Sequence, residues 1–162
     1  MDPTVTDAAA NRIVKNHMLV ALAVGLVPVP VVDVAAVTAI QLRMLSRLSH
    51  EYDVEFSEEL GGSVIGSLVG AGGSYLASSA AAHLLLHLVP VAGWLANAAT
   101  TAIFSSASTF AVGKVFVQHF SSGGTFLTFD PEKVREYYWE QLNQGVTNLT
   151  GGTGESFAGI KP

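Results

Sequence analysis

The chain contains no cysteine, which excludes disulfide scaffolds, thiolate metal sites and cysteine nucleophiles. It is also poor in charge. Only 13% of its 162 residues are Asp, Glu, Lys or Arg, against about 25% in ordinary soluble domains. Basic residues are the scarcest: eight Lys and Arg stand against thirteen Asp and Glu, leaving a net charge of −5. No basic field exists to displace counterions from a phosphate backbone, so nucleic acid is not an expected partner. The length fits one domain.

What is present is apolar and small: 49% of residues are hydrophobic and sixteen are glycine. Between Glu59 and Lys114 there is no charged residue at all, an uncharged run of 54 positions. A helix crossing the hydrocarbon core needs about 20 apolar residues, so the run has room for two spans. One interruption falls near its middle, Leu88-Val-Pro-Val-Ala-Gly93. Pro90 removes a backbone donor there and Gly93 permits a tight connection. The pattern predicts a helical hairpin over 62–88 and 91–118, with its turn at 89–92.

Steps of four along the first arm give Gly62, Gly66, Gly70, Ser74, Ser78 and Ala82. Along the second they give Gly93, Asn97, Thr101, Ser105, Thr109 and Gly113. Steps of four mark one narrow seam on a helix. Small seams let two backbones approach closely in lipid, where each glycine's helix penalty of about 1 kcal/mol is offset by packing. The seams are expected to face each other. A soluble hairpin packed inside a homo-oligomer would carry the same signature and stands as the alternative.

An earlier helix, 5–27, turns from polar (Asp7, Asn11, Arg12, Lys15) to apolar (18–27) and stops at Pro28 and Pro30. Ten apolar residues are too few to cross a bilayer, so this arm is expected to enter partway and turn back, making a first hairpin over 5–50. Arg12, Lys15, Arg43, Arg47 and Lys114 then share one side, as the positive-inside rule expects, with both termini cytoplasmic at the bacterial inner membrane. A secretory signal is not expected: two prolines follow the apolar run and no small-x-small cleavage site does. Asp33, in the first turn after Pro30, suits a helix cap; as a buried intramembrane acid it would instead serve ion or proton movement. Leu26-Val-Pro-Val29 recurs as Leu88-Val-Pro-Val91, a weak internal echo.

Five acids fall within the loop 51–59, and Ser57-Glu58-Glu59 forms a helix start. Asp130-Pro131-Glu132 opens a terminal amphipathic helix over 131–144. Its aromatic residues, with Phe126 and Phe129, suit either the headgroup level or packing on the hairpins. Residues 145–162, rich in glycine, are expected to form a flexible tail.

Catalytic chemistry has no support. His83 and His87 share a helical face, yet three leucines separate them and no glutamate completes a metalloprotease pattern; they remain possible proton-relay groups. Gly113-Lys114 follows Ser108 where a P-loop needs glycine and precedes Val115 where it needs Ser or Thr. No serine elbow occurs. Neither a cofactor nor a metal site is expected, and no enzyme activity.

Gly25-Leu-Val-Pro-Val-Pro-Val-Val-Asp33, Thr38-Ala-Ile-Gln41, Pro90-x-x-Gly93, Gly113-Lys-Val-Phe-Val-Gln-His-Phe120 and Phe129-Asp-Pro-Glu-Lys133 together resemble a bacterial family of unknown function typified by YcjF-like proteins. The resemblance covers about 17–140. It implies a helical, membrane-associated protein with an accessory role beside a GTPase, which here would act in trans. His87 stands where relatives would carry a lysine. The fold class expected is all-α, two antiparallel hairpins and a C-terminal amphipathic helix. The expected function is a self-associating membrane accessory or scaffold; a soluble shell-forming protein and an ion or proton conduit are the alternatives.

Overall fold

The computed structural model describes residues 3–26, 30–70 and 92–151. Every regular element among these residues is a helix, and none is a strand. Helix α1 spans Pro3–Gly25, α2 spans Pro30–Glu51, α3 runs from 58 to 70, and α4 spans Ala92–Ser121. A 3-10 turn, Phe126–Thr128, leads into α5, Pro131–Thr150.

The boundaries follow local chemistry. Proline opens α1, α2 and α5, where its missing N–H costs nothing. At the end of α2, Asp53 takes a left-handed conformation (φ 55°) and the Val54 N–H donates back to the Ser49 carbonyl, closing the last turn. Ser57 caps α3, its Oγ accepting from the Leu60 N–H at 3.3 Å. Asp130 caps α5 through the Glu132 N–H at 3.1 Å.

Helix α5 does not stop at 144. It continues through residues that the sequence assigned to the tail and ends at Gly151 in a left-handed cap. The reason is tertiary: Gly145 and Val146 are buried, and a Cβ on Gly145 would lie 3.0 Å from the Ala107 Cα of α4. Two further glycines allow equally close approach. A Cβ on Gly25 would come within 2.6 Å of the Ala102 Cα, and one on Gly113 within 2.7 Å of a Val14 methyl.

Helix α4 is therefore the centre of the bundle. It packs on α1, α2 and α5, while neither α1 nor α2 packs on α5 among the described residues. The α1/α2 hairpin lies on one side of α4 and α5 on another. The core gathers Val14, Met44, Leu45, Leu48, Val112, Phe116, Tyr138 and Leu142. The two aromatic groups left open by the sequence pack on protein: Phe129 stacks on Phe116 with centroids 4.7 Å apart, Phe126 is buried against Phe116, Phe120 and Phe56, and Tyr138 and Trp139 are buried on α5.

Candidate helix-packing groove

Alternating small residues along α3 and α4 leave space that large side chains would fill. Gly62, Gly66 and Gly70 of α3 face Thr101 and Ser105 of α4 across a groove of about 440 Å³, whose third wall is Val37, Thr38 and Gln41 of α2. A methyl placed on any of the three glycines meets no described atom within 4 Å. The groove contains no charged side chain; Ile65, Val69 and Phe104 make most of its surface apolar.

Its floor is polar and internally bonded. The Gln41 amide donates to Ser108 Oγ at 3.4 Å and to Thr109 Oγ1 at 3.3 Å. Ser108 Oγ shares a hydrogen bond of 3.2 Å with the Tyr138 hydroxyl, and Thr109 donates to the Ser105 carbonyl at 2.8 Å. Gln41, Ser108, Thr109 and Tyr138 are all buried, so the network ties α2, α4 and α5 at one level. Burial pushes the Tyr138 phenol up to about 12, against the opposing pull of its bond to Ser108. Ser106 adds a fourth tie by donating to the Met18 carbonyl of α1 at 2.9 Å.

Five of the nine seam residues expected from the sequence line this groove: Gly62, Gly66, Gly70, Thr101 and Ser105. Gly113 lies elsewhere, against Val14 and Met44, where it admits α1 and α2 to α4. Gly93 and Asn97 fall in the first turns of α4, and Pro30 and Asp33 in the first turn of α2, with side-chain surroundings outside the described residues. Pro28, Ser74, His83, His87 and Pro90 also lie outside them. The glycines closest to a neighbouring backbone, Gly25 and Gly145, were missed. Gly25 is the last residue of α1, and Gly145 falls just past the boundary at 144 that the sequence suggested for the terminal helix, so each glycine reads as a helix stop. Gln41, a single amide on an otherwise apolar stretch of α2, was the available signal for the buried network.

The far end of the bundle is acidic. Asp7, Glu51, Asp53, Tyr52 and Phe120 border a second cavity of about 510 Å³, across which Tyr52 donates to Asp7 Oδ1 at 2.7 Å. No group of three or more potential metal ligands occurs among the described residues.

Residues 3–146 match the domain of unknown function DUF697. The chain belongs to the DUF697 family. It is 41% identical over 139 residues to magnetosome membrane protein 22 of Magnetospirillum gryphiswaldense, covering 86% of this chain and 71% of that relative. No solved structure matches it. The resemblance to a bacterial family of unknown function is thereby established. Among the described residues one helical stretch, Ala98–Ser121, is long and apolar enough to cross a membrane, and most of it is buried within the protein itself. Small residues let three helices close around α4.

Proposed function

We propose that this DUF697 protein is a non-enzymatic, membrane-associated helical protein that self-associates along the groove between α2, α3 and α4 and serves as an accessory or scaffold to a partner. The observation that carries the reading is the groove itself. Two small-residue walls enclose an uncharged, largely apolar space that no described side chain fills, the form of surface that small-residue helix association uses. Membrane location is supported by the uncharged run from 60 to 113 and by a relative whose name is that of a membrane protein. The proposed site is the bacterial inner membrane with both termini cytoplasmic, and the family resemblance makes a GTPase in trans the partner to test.

The experiment is paired. Membranes collected at low ionic strength, without a carbonate or high-salt wash, should retain the protein; its recovery in the soluble fraction overturns the membrane reading. In detergent, Gly66→Leu should fill the groove and reduce the oligomer to a monomer by light scattering; an unchanged mass overturns the groove as the contact. The extensive cover around α4 favours a second reading, a soluble homo-oligomeric scaffold, which purification without detergent as one monodisperse particle would select.

A further inference from the structure

The basic residues of the first hairpin are arranged as a belt. Val14 and Met44 meet at Gly113, and Asp7 meets Tyr52, so the antiparallel register of α1 and α2 sets Lys15 level with Arg43 and Arg12 level with Arg47. All four bases are exposed, and none forms an ion pair among the described residues, whose salt bridges both lie at the start of α5. On one side of the belt lie the acids Asp7, Glu51, Asp53, Glu55, Glu58 and Glu59. On the other, residues 16–42 carry a single charge, Asp33.

The exposed surface beyond the belt is apolar. Leu19 and Val20 on α1 and Leu26 just after it are 59%, 50% and 55% exposed, three of the four large hydrophobic side chains so exposed among the described residues. At 1.5 Å per helical residue, Leu19 lies about 6 Å and Leu26 about 16 Å beyond Lys15, a reach comparable to half of a hydrocarbon core about 30 Å thick. Helix α5 cannot share this environment. Its exposed residues Glu140, Gln144, Thr147 and Asn148 are polar, and α5 packs on α4 away from the hairpin. Immersing the whole uncharged end would strip them of water; immersing only the hairpin face does not.

We propose that the outer face of the α1/α2 hairpin docks one-sidedly on an anionic membrane, with Arg12, Lys15, Arg43 and Arg47 binding phospholipid headgroup phosphates while Leu19, Val20 and Leu26 enter a single leaflet. The proposal rests on the membrane-associated reading above and adds the lipid class, the depth and the orientation. Charge complementarity selects the occupant: a chain of net −5 is repelled by an anionic surface unless its bases are presented first. Arg and Lys stems covering the apolar boundary while their heads reach the phosphates are the usual form of such a collar.

The test uses the full chain diluted from detergent onto protein-free vesicles, of phosphatidylcholine alone or with about a third phosphatidylglycerol. Attachment should be stronger to the anionic vesicles and should weaken in about 0.5 M NaCl. Arg12→Gln with Lys15→Gln, or Arg43→Gln with Arg47→Gln, should lower the partition coefficient on them roughly 25-fold, about fivefold per base. Lys133→Gln with Arg135→Gln should leave it unchanged. Because the chain has no cysteine, a polarity-sensitive dye on Leu19→Cys reports its own position and should shift to the blue on binding, while the same dye on Gln144→Cys should not. Equal attachment to both vesicles, unaltered in the charge variants, overturns the belt and leaves membrane association standing. Retention in native membranes without attachment to any protein-free vesicle assigns the belt to an acidic membrane protein and overturns the lipid proposal alone. A blue shift at Gln144 overturns the orientation. No attachment to vesicles together with a soluble native protein overturns both this proposal and the reading beneath it.

Discussion

The closest approach of a glycine to the backbone of another helix gives a quantitative test of the fold. A Cβ on Gly25 would sit 2.6 Å from the Ala102 Cα and 3.2 Å from the Ala102 nitrogen. Both are backbone atoms of a central helix, so no rotamer change relieves the overlap, and α1 must move outward by roughly 1 Å to reach ordinary contact. Overpacking of this kind costs about 1–3 kcal/mol. Gly25 is the last residue of α1, so the helix-propensity gain from alanine, at most about 1 kcal/mol in a helix interior, is small there. Gly25→Ala is therefore expected to be net destabilising by about 1–2 kcal/mol, a fall in Tm of roughly 2–8 °C for a chain of this size. Gly66→Ala provides the opposite sign. Its methyl points into open groove, so the helix gains up to about 1 kcal/mol and Tm rises. The assay is thermal unfolding by circular dichroism in excess detergent, with one chain per micelle. If Gly25→Ala raises Tm as Gly66→Ala does, α1 does not cross α4 at Ala102 and the packing described above is wrong.

Other outcomes follow from particular contacts. Phe116 is fully buried beneath Phe120, Phe126 and Phe129, so Phe116→Ala should cost about 3–5 kcal/mol in chemical unfolding. Gln41→Leu deprives Ser108 and Thr109 of the amide donor in a buried network and should cost about 1–3 kcal/mol, whereas exposed Arg43→Gln should leave unfolding within about 0.5 kcal/mol of the native chain. His17 is held below its usual pKa, first by burial and then by the charges of Arg47 and Arg43, against an opposing hydrogen bond to the Ile13 carbonyl. Below pH 6.5 the unfolded chain takes up a proton that the folded chain refuses, so stability is full above that value and falls as pH drops toward the depressed folded pKa. His17→Gln should remove that part of the pH dependence of Tm; an unchanged profile would show that His17 is not the group responsible.

The helix starts were legible because their signals are local. Pro30, Ser57 and Asp130 mark helix starts by what they do to their own backbone, and the uncharged run from 60 to 113 marks apolar surroundings whatever covers it. Five small residues of α3 and α4 were likewise placed on one groove by period alone, since steps of four define a helix face without knowledge of neighbours. The partner of a face is not local. Gly113 shares the seam's period with Thr101 and Ser105, yet it meets α1 and α2, because α4 is surrounded and its successive turns face different helices. Gly145 sits in a glycine-rich stretch that reads as tail, and only the approach of Ala107 makes a glycine there a condition for α5 to continue.

Sequence by itself determined that this chain is helical, where its helices begin, and that its long central segment avoids charge, because capping, proline geometry and the cost of desolvating ions act within a few residues. Tertiary structure alone decided that α4 is wrapped by protein, that Gln41 finds Ser108, Thr109 and, through Ser108, Tyr138, and that Arg12, Lys15, Arg43 and Arg47 lie at one level. Those outcomes depend on the distance between backbones at a crossing, which the absence of a side chain permits and which only the packed partner makes use of.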